Sequence, residues 1–299
     1  MGHRAHTAVG TTLGYNMTAS IRIFDVEHGA CAIVGADAPT IAMIDCGHNE
    51  TTGWRPSDFL RTRLGRAHVD YLLITNVDQD HISDLDNMTR SGISVGVLIS
   101  NTLVAPEVLR RIKLGCGPLT ADAERYLAMR SGGGPVGSGI PFDQAMGGFA
   151  LRQYTHSSML FDNTNDLSSA FFLSYGPFKM LFPGDLEKAG WRLHLANPQF
   201  VRDLATTTIL VASHHGRENG FCEEAFNHLR PQAVVISDKS IMHGTQEMVP
   251  DYRQVVMPGG IQLTNETDRR HVLTTRRDGD ILFTILDTNG NYRVTTRLT

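Results

Sequence analysis

The stretch Leu72–Leu85, "LLITNVDQDHISDL", sets an apolar run directly against Asn76, Asp78, Asp80 and His81. The apolar half reads as a buried strand running from Val69 to Thr75, because a strand covered on both faces shows continuous rather than alternating hydrophobicity. Two readings compete for the polar half. It is either part of a cation site or a polar turn capping an ordinary strand.

The same arrangement recurs elsewhere in the chain. Asp45 closes "TIAMIDCG", Asp185 closes "FKMLFPGD", and His214 with His215 close "TTTILVASHHG". Each has a bland explanation alone: an aspartate beside glycine is commonly a turn residue, and a histidine near a strand is often a hydrogen-bonded core or surface group. Repetition of polar ends after apolar strands is the stronger signal, since neighbouring strand ends can project into one cleft. Asp78, Asp80, His81, Asp185 and one histidine of the pair would form a mixed oxygen and nitrogen site. Zinc accepts that donor set, and its oxygen-rich side favours manganese or another hard cation.

Around these ends the chain alternates strands and helices, which predicts helices layered on sheets. "SIRIFDV" (20–26) and "TIAMID" (40–45) read as early strands, with "IVGAD" beside the turn between them. "VGVLIS" (95–100) reads as a strand after a short helical stretch beginning near Ser83. Thr120 is placed to cap a helix in "TADAERYLAM". The glycine-rich 131–139 segment lacks the Gly-Lys-Ser/Thr ending of a phosphate loop and reads as a turn or lid. "SSAFFLSYG" and "FKMLFPGD" read as paired strands, "LEKAGWRLHLA" as a helix and "AVVISDK" as a strand. "HVLTTRR", "ILFTILD" and "YRVTTRL" read as shorter sheet elements. One domain over 20–299, built from two similar halves, with a flexible segment at 1–19, is the expected organisation.

At 299 residues, with 41% hydrophobic and 19% charged residues, the chain can bury a sizeable core. A formal charge of -4 gives no global field to draw in nucleic acid. Arg110, Arg111 and Lys113, and Arg276 with Arg277, read as solvated faces whose stems cover apolar surface. Cys31, Cys46, Cys116 and Cys222 form no CxxC pair and read as reduced thiols. No run approaches a membrane span and the start lacks a signal-like apolar stretch, so a cytoplasmic protein without membrane contact is expected. Oligomeric state is open.

With these residues in place, the chain resembles the metallo-beta-lactamase fold superfamily, in particular the hydrolase domain of competence proteins of the ComEC type and its free-standing relatives. "IRIFDVEHGACAIV", "AMIDCGHN", "LLITNVDQDHISDL", "SSAFFLSYGPFKMLFPGD", "ILVASHHG" and "VVISDK" with His243 carry the resemblance, over about residues 20–245. It implies an αββα sandwich of two mixed sheets flanked by helices. It also implies one or two divalent cations, Mn2+ or Zn2+, held by Asn76, Asp78, Asp80, His81, Asp185 and His215, with Asp185 bridging. Asn76 and Asp78 depart from the histidines usual at their positions, which implies a loosely held first cation. The last ligand expected between the halves has only His156, Asn163 and Asn165 as candidates, and no histidine stands directly before the strand.

Catalytic roles fall by the same resemblance to Asp80, His214 and His243, with the order of His214 and His215 open, and Asp25 and Asp45 behind the ligands. The implied chemistry is hydrolysis by a metal-activated hydroxide, of a phosphodiester in DNA, RNA or a nucleotide. Hydrolysis of lactones, thioesters or beta-lactams uses the same nucleophile. A catalytically silent module that binds a protein partner is the alternative from another class.

Overall fold

The computed structural model describes residues 19–35, 39–132, 141–264 and 266–298. The expected flexible start, with His3 and His6, and nearly all of the glycine-rich segment lie outside these residues. Among the described residues, fifteen strands form two large sheets and one small ribbon. The first sheet takes β1 (Ala19–Ile23), β2 (Ala32–Val34), β3 (Ala42–Ile44), β4 (His68–Leu73) and β5 (Ser94–Ile99). The second takes β6 (Phe149–Tyr154), β7 (Ala170–Tyr175), β8 (Phe178–Phe182), β9 (Ile209–Val211) and β10 (Ala233–Ile236). After the ribbon of β11 (Ile261–Gln262) and β12 (Arg269–Arg270) come β13 (Val272–Thr274), β14 (Ile281–Ile285) and β15 (Tyr292–Thr296).

The first sheet runs β15-β14-β1-β2-β3-β4-β5 and the second β13-β10-β9-β8-β7-β6. Both are mixed: β3, β4 and β5 are parallel, as are β8, β9, β10 and β13, while the remaining pairs in both sheets are antiparallel. The tail therefore does not stay with the second half. β13 joins the second sheet, but β14 pairs along all of β1 and so returns the chain to the first.

Alternation within the strands fixes the layers. Ala32, Val34, Ala42 and Ile44 face Phe171, Leu173, Met180 and Phe182 across the inter-sheet core. Ile33 and Met43 point the other way, onto the helices Pro56–Thr62, Leu85–Arg90 and Ala121–Ser131. Phe172 and Leu181 likewise pack outward on the helices Lys188–Leu195 and Pro198–Ala205. With both faces covered, these strands have no polar face to show, which is why they read as unbroken apolar runs. The architecture is helix, sheet, sheet, helix.

Most strand boundaries lie within a few residues of expectation, and Thr120 caps its helix by accepting from the Ala123 amide at 3.1 Å. The helix Pro106–Cys116, the strand β6 and the helix Pro198–Ala205 are additions to the sequence expectation. Lys113, half-buried, pairs with Asp78, and Arg276, which stays exposed, pairs with Asp238, each at 2.7 Å. Among the described residues, all four cysteines are free and no helix is long and apolar enough to cross a membrane.

Candidate metal centre

Parallel neighbours end at the same sheet edge, and that geometry assembles the site. β3 and β4 are parallel, so Asp45 and the 75–81 segment leave the first sheet together. β8 and β9 are parallel, so Asp185 and the histidine pair leave the second together. Asp80 and His81 sit in the short helix Gln79–Ile82 immediately after β4. A side chain on Gly47 would meet the backbone carbonyl of Asp80, so glycine there lets the two segments close. Gly184, at φ +61°, likewise turns β8 tightly past Ser168 and Thr75 to present Asp185.

Asp80, His81, Asp185 and His215 each bring one ligating atom to within 4.8 Å of all the others. His81 Nε2 lies 3.0 Å from Asp185 Oδ1, and its Nδ1 lies 2.9 Å from Asp45 Oδ2. Asp45 is fixed in turn by the Thr75 amide at 2.7 Å and hydroxyl at 2.5 Å. His215 Nε2 lies 3.2 Å from Asp80 Oδ2 and 3.5 Å from Asp185 Oδ1. It nevertheless makes no hydrogen bond, although it is buried. A ring nitrogen close to two carboxylates but aligned with neither suits a shared cation. Two imidazole nitrogens and two carboxylates are a donor set that a divalent ion accepts.

The electrostatics agree. Burial opposes a charge on His81, but Asp185 and Asp45 on either side outweigh it and hold the ring's pKa well above its ordinary value. Burial also opposes charge on Asp80 and Asp185. His215 and His81 offset it, and both carboxylates stay below their usual range. Asp45 moves upward, because burial there exceeds the help from His81 and Thr75. The cluster is thus anionic on one wall and imidazole on the other.

Not every expected residue joins it. Asn76 gives its amide to Ser168 Oγ at 3.1 Å, and its Oδ1 accepts from the Asp78 amide at 2.9 Å. Asp78 is occupied on both oxygens, by Lys113 Nζ at 2.7 Å and Thr164 Oγ1 at 2.9 Å. These two side chains brace the loop instead of joining the four ligands. His214 is buried beside the cluster, with Nδ1 3.6 Å from Glu187 Oε1 and making no hydrogen bond, and with Nε2 3.5 Å from Arg217 Nη1; burial lowers its pKa. His243 is exposed. Asp25 is not among the four: its carboxylate accepts from the Glu27 amide at 3.3 Å, and its backbone amide donates to Asp280 Oδ1 at 2.9 Å. His156 bonds Gly190 O at 3.0 Å, Asn163 bonds Asp166 at 3.3 Å, and Asn165 bonds Glu187 at 2.9 Å.

Residues without an expected role also belong here. His28 has its ring centre 6.2 Å from that of His215. Burial, then the charges of His215, Arg217 and Lys239, push its pKa down to about 4. With Asp80, His48, Gln79 and Lys239 it lines a cleft of about 250 Å3. A larger cleft of about 660 Å3, between Arg22, Trp54 and Arg63, contains none of the four clustered residues. Backbone geometry marks the same place. Of the five described non-glycine residues at positive φ, Glu27, Asp45, His214 and His215 surround the cluster and only Arg297 does not. Left-handed backbone at such residues persists where surrounding structure enforces it, and it concentrates at functional sites.

No family model matches the chain, and no curated protein matches it. Among solved structures, it is similar to the metallo-beta-lactamase fold protein YhfI from Bacillus subtilis at 9% identity and a TM-score of 0.43, covering 89% of this chain and 99% of that one. It is similar to a putative metal-dependent hydrolase from Parabacteroides distasonis at 11% identity and a TM-score of 0.44, covering 86% and 94%. For CmlA, a diiron beta-hydroxylase from Streptomyces venezuelae, the values are 14% and 0.45, covering 81% of this chain and 52% of that one. Likenesses this distant say nothing of activity. The four converging side chains are this chain's own.

Proposed function

We propose that this protein is a metal-dependent hydrolase of the metallo-beta-lactamase kind, acting on phosphodiester bonds in nucleic acid or a nucleotide. The observation that carries the reading is the convergence of Asp80, His81, Asp185 and His215, with the buried His215 Nε2 aligned for no protein partner. A divalent cation held by these four supplies Lewis acidity toward a phosphoryl oxygen and acidifies water. Asp45 holds the His81 ring by its Nδ1, the carboxylate support that a ligating imidazole needs to keep one tautomer and orientation. Asp80, with its side chain 38% exposed, is the ligand that opens to the cleft. Lys239 stands in that cleft as a cation for an anionic substrate, and His214 flanks the cluster where it can bind phosphate or give a proton to the leaving oxygen.

A silent binding module is favoured by one observation, the use of Asn76 and Asp78 as loop braces. Purified protein loaded with manganese, zinc, magnesium or nickel, tested on single-stranded DNA, RNA, cyclic nucleotides, lactones and nitrocefin, separates the readings. Turnover of phosphodiesters alone supports the proposal. Turnover of lactones or nitrocefin instead redirects the substrate class, and no turnover with any metal supports the module.

A further inference from the structure

A hydrogen-bond network outside the metal cluster fixes which nitrogen of His28 carries its proton. Gln246 ends the short turn Gly244–Gln246, and its Oε1 lies 2.8 Å from the Met242 amide and 3.0 Å from the His243 amide. Both neighbours are N–H donors, so the atom facing them must be the carbonyl oxygen; the opposite amide orientation would set NH2 against two N–H groups. The Gln246 NH2 group is thereby aimed at His28 Nε2, 2.9 Å away. A donor there requires Nε2 to be the bare, accepting nitrogen, which places the ring proton on Nδ1. An imidazolium is excluded by the same contact, because it would oppose N–H to N–H.

His28 Nδ1 is buried and has no hydrogen-bond partner among the described residues. Buried donors are ordinarily paired, so an orphaned one beside a reaction site calls for an acceptor that is not part of the protein. The ring lies against His215 and lines the cleft shared with Asp80 and Lys239. Its orientation is enforced from the backbone side as well, since the preceding Glu27 sits at φ +59°.

Resting on the hydrolase reading above, we propose that His28 is a substrate-binding residue whose Nδ1–H, held in one neutral tautomer by Gln246, donates to an anionic phosphoryl oxygen in the cleft. His243 contributes to this through its main chain, whose amide helps hold the Gln246 carbonyl. Gln246 is a positioning residue, acting only through His28.

The test combines ring 15N NMR of the zinc-loaded protein with inorganic phosphate binding by calorimetry, on wild type, His28→Phe, His28→Asn and Gln246→Ala. The His28 signal, identified by its loss in His28→Phe, is expected to show a protonated Nδ1 and a bare Nε2, and Gln246→Ala should shift that population toward protonated Nε2. His28→Phe should weaken phosphate binding by about tenfold or more, the scale of one lost hydrogen bond to a charged group. His28→Asn keeps an N–H donor close to the Nδ1 position and should recover most of the loss. A wild-type ring protonated on Nε2, or His28→Phe binding phosphate as wild type does, overturns the role of His28 alone. A wild-type protein that binds no metal and turns over nothing overturns the hydrolase reading, and this role with it.

Discussion

Lys113 holds its ammonium 2.7 Å from Asp78 Oδ1, with the lysine side chain 19% exposed. A fixed positive charge therefore stands at the carboxylate that was expected to help bind a first cation. One cation per chain is therefore expected, and calorimetric titration with Zn2+ or Mn2+ should give a stoichiometry near one. Replacing Asn76 and Asp78 together by histidine should lower stability without raising zinc retention, since it removes the contacts to Ser168, Thr164 and Lys113. A stoichiometry of two in the wild type would contradict this.

Asp45 would act on a bound cation only through His81. Asp45→Asn keeps the shape but removes the charge behind Nδ1, and should weaken metal affinity by about 10- to 100-fold, the usual scale for the carboxylate behind a ligating imidazole. Competition against a chelator of known affinity measures it. An unchanged affinity would mean that the Asp45–His81 contact is only structural.

His214 should behave differently from the ligands. It flanks the cluster but is not one of the four. His214→Ala is expected to keep its metal while losing substrate binding or leaving-group protonation, seen as a fall in kcat/KM of at least about tenfold. Loss of the metal together with activity would make His214 a ligand.

His194 lies under the second sheet, its ring stacked 3.7 Å from that of His156 and 4.7 Å from that of Phe200, with Nε2 unpartnered. Burial, then His156, push its pKa down to about 3, whereas the unfolded chain takes up a proton near 6.5. The unfolded state thus binds more protons between those values. Stability should be unaffected by this group above pH 6.5 and fall on acidification toward pH 3, by up to about 1.4 kcal/mol per pH unit. Denaturant melts of His194→Phe should show a shallower acid limb than wild type; an identical limb would count against the buried neutral state.

The two-sheet architecture was legible because strands buried on both faces are unbroken apolar runs, and because their polar ends stood out against them. Asp80, His81, Asp185 and one histidine of the 214–215 pair stood out in this way. The β6 strand "FALRQY" was harder, since it lies at a sheet edge and mixes polar with apolar side chains, several of them only half-buried. Lys113 looked like any lysine on an amphipathic helix, because its partner Asp78 is 35 residues away. His28 sits in a loop after β1 with no strand end to mark it, and its partner Gln246 is 218 residues distant. Contacts of that range have no local signature. The left-handed backbone at Glu27 and Asp45 is similarly silent in sequence, where glycine or asparagine would have signalled it.

Metal content of wild type and Asp185→Asn, each confirmed folded by circular dichroism, decides whether Asp80, His81, Asp185 and His215 form a cation site. Asp185 is buried and faces both imidazoles, so removing its charge should loosen the cation and lower turnover by more than about a hundredfold, the scale of a major electrostatic contributor. About one equivalent of divalent metal is expected in wild type and little in the folded variant. A folded Asp185→Asn protein with unchanged metal content and unchanged hydrolysis would contradict it.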